Sequence, residues 1–72
     1  MKTRVIPIGN GYAVLVRDTE AAVVRSTLSG VSTTLRLPYS ELGRPQAVGA
    51  AVLTALDLSA TQDAIDSEGA ES

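Results

Sequence analysis

The chain has 72 residues, a formal net charge of −2, and no His, Cys, Trp or Phe. Without His no side chain titrates near neutral pH by default, and without Cys there is no thiolate nucleophile, disulfide or sulfur-ligated zinc. The usual nucleophile–base pairs are thereby excluded, and the composition points to work done by a surface in a chain expected to be cytoplasmic.

A chain this short forms a single small domain that buries only about 60% of the surface its unfolded form exposes. Tyr12 and Tyr39 are its two aromatics, so the apolar mass is Val, Leu, Ile and Ala. With neither disulfide nor metal to staple so thin a core, association with a second copy is the natural supplement, and a homo-oligomer, most simply a dimer, is expected.

In chain order, Thr3–Ile8 and Tyr12–Arg17 are β-rich runs separated by Gly9-Asn10-Gly11. Asn-Gly accepts the positive φ angles of a type I′ turn, whose twist suits a two-strand ribbon, so a hairpin is predicted here. Pro7 has no amide hydrogen to offer a neighbour, which places the first strand at a sheet edge and Tyr12–Arg17 further in. The opening Lys2 and Arg4 precede an apolar stretch broken by Pro7 and the glycine turn, so a signal peptide is not expected from this segment.

The stretch Asp18–Gly30 supports two readings. Asp18-Thr19-Glu20 is either the turn of a second hairpin with Ala21–Leu28 as a strand, or the cap of a short helix that Gly30 ends. The β-branched Val23, Val24 and Thr27 favour the strand. Val31–Leu37 alternates, with Val31, Thr33, Leu35 and Leu37 on one face and Ser32, Thr34 and Arg36 on the other, and Pro38 ends it. Tyr39–Gly43 reads as a connection.

Pro45 suits a first helical position. From there to Leu58, Val48, Val52 and Leu56, flanked by Ala51 and Ala55, recur at helical spacing. Gly49 weakens this helix by roughly 1 kcal/mol relative to Ala. Ser59 with Gln62 has the form of a capping box that would start one last turn through Ile65. Residues 1–58 are thus read as one domain and 59–72 as an acidic, disordered tail. The expected fold is α+β: three or four antiparallel strands beginning with a hairpin, with one C-terminal helix on one face. Its expected core is Val14, Val16, Val31, Leu35, Leu37, Val48, Val52 and Leu56.

The charge is unevenly spread. Residues 1–56 hold six basic and three acidic residues, whereas residues 57–72 hold five acidic and no basic ones. No constellation for catalysis stands out: Lys2 is the single lysine, and Asp18, Glu20 and Glu41 read as turn and surface carboxylates. Asp63, Asp66 and Glu68 lack the glycine and bidentate Glu of a calcium loop. No catalytic residue, metal or cofactor is expected, and the apolar run Ala47–Leu58 is too short to span a bilayer.

The candidate binding surface consists of Arg4, Asn10, Tyr12, Arg17, Arg25, Arg36 and Tyr39. Arginines spread over several strands can follow phosphates, and a Tyr can stack on a base. The strand-rich order closed by a helix loosely resembles small double-stranded-RNA-binding and integrase-arm folds. The opening segment, Met1-Lys2-Thr3-Arg4-Val5-Ile6-Pro7-Ile8-Gly9-Asn10-Gly11-Tyr12-Ala13-Val14, resembles the first hairpin of AbrB/MazE-type antitoxins and transition-state regulators. That resemblance implies an intertwined dimer that binds DNA, with Lys2, Arg4 and Asn10 as contacts. It departs from the family at Gly11, where Ser is usual, and at Pro7, usually basic; the family's second swapped hairpin has no counterpart.

The leading expectation is a non-catalytic interaction protein. It would be a small regulator or inhibitor that binds a larger protein partner through its sheet edge or Arg-bearing face, of a kind common in phage and mobile elements. The alternatives are a nucleic-acid-binding regulator whose acidic tail tunes binding, and a small structural or assembly subunit.

Overall fold

The structure, a computed structural model, describes the backbone of residues 3–71 and the side chains of residues 3–67. Strands β1 (Arg4–Gly9), β2 (Tyr12–Val16), β3 (Glu20–Thr27) and β4 (Gly30–Pro38) precede a single helical turn, α1 (Tyr39–Leu42), and a long helix, α2 (Arg44–Glu71). The strands form one antiparallel sheet in the order β1-β2-β3-β4, each paired with its neighbour in sequence. This is the expected α+β architecture in its four-stranded form.

The first turn follows its local chemistry. Asn10 and Gly11 adopt φ of 54° and 82°, as a type I′ turn requires at both central positions. A Cβ on Gly11 would lie 3.0 Å from the carbonyl oxygen of Ser26, so glycine is needed there for space as well as for φ. β1, with Pro7, is an edge strand. Its pairing slips by one residue between Pro7 and Gly9, which leaves Ile8 as a bulge.

The ambiguous segment is a strand. β3 lies between β2 and β4, and its Ala21, Ala22, Val23 and Val24 are all buried. A strand buried on both faces shows a continuous apolar run instead of alternation, which is why its period is hard to read.

Two expectations about the core are corrected. The first is Val31. Opposite β3, Val23 pairs with Leu35 but Val24 pairs with Thr33, so Thr34 is an extra residue in β4. One extra residue reverses the face of everything before it. Leu35 and Leu37 therefore pack under α2, while Val31 falls on the opposite face and stays 67% exposed.

The second correction is the phase of α2. The fully buried stripe is Ala47, Ala51 and Ala55, with Val48, Val52 and Leu58 packed at its margins, and Leu56 is 49% exposed on the far side. Alanines let the helix backbone lie close over Val14 and Val23, the largest fully buried side chains. A Val or Leu in the central stripe would hold the helix further off.

The stretch read as a tail from residue 59 has helical backbone through Glu71. α2 continues without a break through Ser59, which is not a cap but a buried residue one turn beyond Ala55. The expectation of disorder falls partly on the side chains of residues 68–72, which lie outside the described set. The connection Tyr39–Gly43 contains α1, anchored where the Tyr39 amide donates to the Thr19 carbonyl at 3.0 Å.

Candidate functional site

Strand register assigns each side chain to a face. On the helix side lie the rows Ile6–Val14–Val23–Leu35 and Arg4–Val16–Ala21–Leu37. On the other side lie Val5–Leu15–Ala22–Arg36 and Pro7–Ala13–Val24–Thr33, with Val31 beside Ser26. α2 packs on the first set, and none of the residues in contact with its core belongs to the second.

The outer face is therefore apolar across three strands and carries no covering element among the described residues. Ala22 and Val24 are buried there, whereas Val5 is 60% exposed at the β1 edge. Beyond Val24, the free edge of β4 runs from Gly30 with Val31 and the hydroxyls of Ser32, Thr33 and Thr34. At the hairpin tip Leu28 is fully exposed.

One end of this face is polar. Glu20 Oε2 lies 3.7 Å from both Arg17 Nη1 and Arg36 Nε. At that length the oxygen, though itself buried, accepts no hydrogen bond among the described residues. Exposed pairs of this kind contribute little to stability, and their effect here is to hold two guanidinium groups at one corner.

The sequence candidates do not gather into one site. Arg25 lies over the Tyr12 ring, 5.4 Å from its centroid, on the helix side of the sheet. Arg4 is exposed at the β1 edge, also on the helix side. Arg17 sits just past the end of β2 and Arg36 on the outer face, joined through Glu20. Tyr39 lies beneath Arg44, 5.9 Å from ring centroid to guanidinium carbon, and its buried hydroxyl has no hydrogen-bond partner among the described residues.

Asn10 is committed inside the molecule. Its Nδ2 donates to the Ser59 carbonyl at 2.8 Å, to Ser59 Oγ at 3.0 Å and to Asp63 Oδ1 at 2.9 Å. Asp66 accepts from Gln62 Nε2 at 3.0 Å, and the Glu68 side chain lies outside the described residues. Lys2, named by the family resemblance, lies there too.

Arg36 apart, the apolar residues of the outer sheet face are absent from the sequence candidates. Their signal is the unbroken apolar runs Val5–Ile8, Ala13–Val16 and Ala21–Val24. A sheet with one wet face alternates, and these strands do not. Among the described residues no helix is long and apolar enough to cross a membrane.

Comparison of the chain with protein families, curated proteins and solved structures finds no match. The likeness to AbrB/MazE-type hairpins thus stays confined to the opening segment, and in this chain that hairpin continues into a four-stranded meander under a helix.

Proposed function

We propose that this protein is a non-catalytic interaction module, a small regulator or inhibitor that binds a larger protein partner through the outer face of its sheet. The observation that carries this reading is the sidedness of that sheet. β1, β2 and β3 are apolar on both faces, yet α2 covers only one. A partner on that face would bury the exposed Val5 and Val31 and the half-buried Ala13 and Leu15. The free β4 edge adjoins that face and suits main-chain pairing, while Arg17 and Arg36 offer charge at the opposite corner. The matching partner surface is apolar, with a carboxylate placed to meet Arg36.

A nucleic-acid role draws less support, because Arg17 and Arg36 share Glu20 while Arg25 lies on the other side of the sheet. Counterion release rewards basic side chains gathered on one surface.

The test is affinity capture from the source cells with the wild-type chain, Val5→Glu and Leu53→Glu, each first shown to be folded by circular dichroism. Val5 is on the outer sheet face and Leu53 on the exposed side of α2. A protein held by the wild type and Leu53→Glu but lost by Val5→Glu supports the reading. Equal retention by Val5→Glu, or no specific protein in repeated captures, overturns it.

A further inference from the structure

Between Ala47 and Leu56, α2 is apolar all the way round, with Thr54 as the single polar residue. A helix of that kind is normally buried on every side, yet its far side faces solvent here. Opposite the Ala47–Ala51–Ala55 stripe lie Gly49, Leu53, Leu56 and Ala60, with Leu53 69% and Leu56 49% exposed. Their spacing of four, three and four is the seam that lets one helix pack along another.

We propose that this seam is the contact between two copies of the chain, with their α2 helices packed antiparallel about a twofold axis that passes between Thr54 and Ala55. The residue order is self-complementary under that operation. The axis sets Leu53 opposite the partner's Leu56 and, with no further adjustment, Gly49 opposite the partner's Ala60. A twofold contact uses one patch twice, so a seam that pairs with its own reverse is what such symmetry requires. Small residues at both outer layers let the two backbones approach, and the leucines fill the centre.

Two independent features choose this occupant and this direction. The first is Gly49. A Cβ there would meet nothing within 4 Å, so no contact among the described residues calls for glycine in a helix interior, where it weakens the helix. Close approach of a second helix does call for it.

The second is charge. α2 has no acidic residue in its first turn and no basic residue in its last, which is the reverse of what the helix dipole favours. Its one base, Arg44, is at the start, and the acidic Asp57, Asp63 and Asp66 follow from the middle onward. Antiparallel pairing sets the acidic later part of one helix alongside the positive, Arg44-bearing start of the other, although the Arg44 side chain itself lies over Tyr39 and Asp63 is held by Asn10. Parallel pairing would set each acidic half against its own copy.

The experiment is sedimentation velocity on the full chain across a concentration series, at low and at moderate salt. The wild type is expected to dimerise reversibly. Leu53→Glu places a carboxylate on the seam of each copy and is expected to weaken the dimer on the order of a hundredfold. Arg44→Glu is expected to weaken it roughly two- to fivefold at low salt and less at moderate salt. Both positions are exposed, and circular dichroism of dilute samples checks that each variant keeps its helix. Because the chain has no Cys, direction is read by oxidising a mixture of Gly49→Cys and Ala60→Cys: the mixed disulfide forms and neither variant links to itself. A chain that stays monomeric at tens of micromolar, a dimer indifferent to Leu53→Glu, one dissociated instead by Val5→Glu, or self-linked Ala60→Cys each overturns the proposal.

Discussion

The Asn10 side chain donates to the backbone oxygen of Ser59 across 2.8 Å, joining residues 49 positions apart in the chain. The same amide reaches Ser59 Oγ and Asp63 Oδ1. A turn residue chosen for its positive φ thus also clamps the hairpin tip to the middle of α2.

Asn10→Gly separates these two roles, since glycine keeps the turn conformation and loses the amide. The variant should be less stable by about 1–2 kcal/mol, as the carbonyl and carboxylate lose their donor. Read as a thermal melt, that is a fall of roughly 4–16 °C for a domain of this size. Asn10→Asp should fall further, because it sets a carboxylate against Asp63. A melt unchanged in both would show that the clamp contributes nothing.

The helix phase is tested by Ala51→Leu. Ala51 is fully buried between α2 and the sheet, and the added atoms have nowhere to go without lifting the helix. Overpacking should destabilise by about 1–3 kcal/mol, measured by urea denaturation. A neutral or stabilising result would place the buried stripe elsewhere.

The bulge at Thr34 makes a paired prediction. Val31, flipped outward, should tolerate change to Thr within about 0.5 kcal/mol. Leu35, packed against the core, should lose roughly 2 kcal/mol or more on change to Ala. Equal losses in denaturant titrations would mean that the two residues share a face after all.

Glu20→Gln removes the charge shared by Arg17 and Arg36. Those arginine side chains are 41% and 64% exposed, so solvent screens the pairs and the stability change should stay within about 1 kcal/mol. The residual difference from the wild type should shrink as salt is raised. A large, salt-independent loss would show that Glu20 holds the sheet corner by something other than charge.

Legibility in the sequence tracked distance along the chain. The Asn10-Gly11 hairpin, the edge position of the Pro7 strand, the end of β4 at Pro38 and the start of a helix near Pro45 all follow from sterics and missing amides. Each is decided by a residue and its immediate neighbours. Of the expected core, Val14 and Val16 are buried and Leu35, Leu37, Val48 and Val52 pack against them, because apolar periodicity marks a face wherever the period is unbroken.

Val31 and Leu56 fell outside that core for different reasons. The Thr34 bulge is a property of two strands meeting, and nothing in residues 30–38 alone marks where the register slips. The phase of α2 could not be read because its apolar residues encircle it, so periodicity names no preferred side. The outer sheet face escaped notice for the same reason: strands apolar on both faces do not say which face the helix takes.

Element types near the turns and prolines follow from residue identity alone, since they depend on torsional preferences that act within a few residues. Packing between elements fixes the rest: the alanine stripe beneath the helix, the turn of Val31 to the outside and the union of Asn10 with Ser59, while the strand favoured by Val23, Val24 and Thr27 is secured by its place between β2 and β4. These depend on which surfaces meet. Close packing rewards the arrangement in which the small residues lie between helix and sheet, and that choice is made only once the two are in contact.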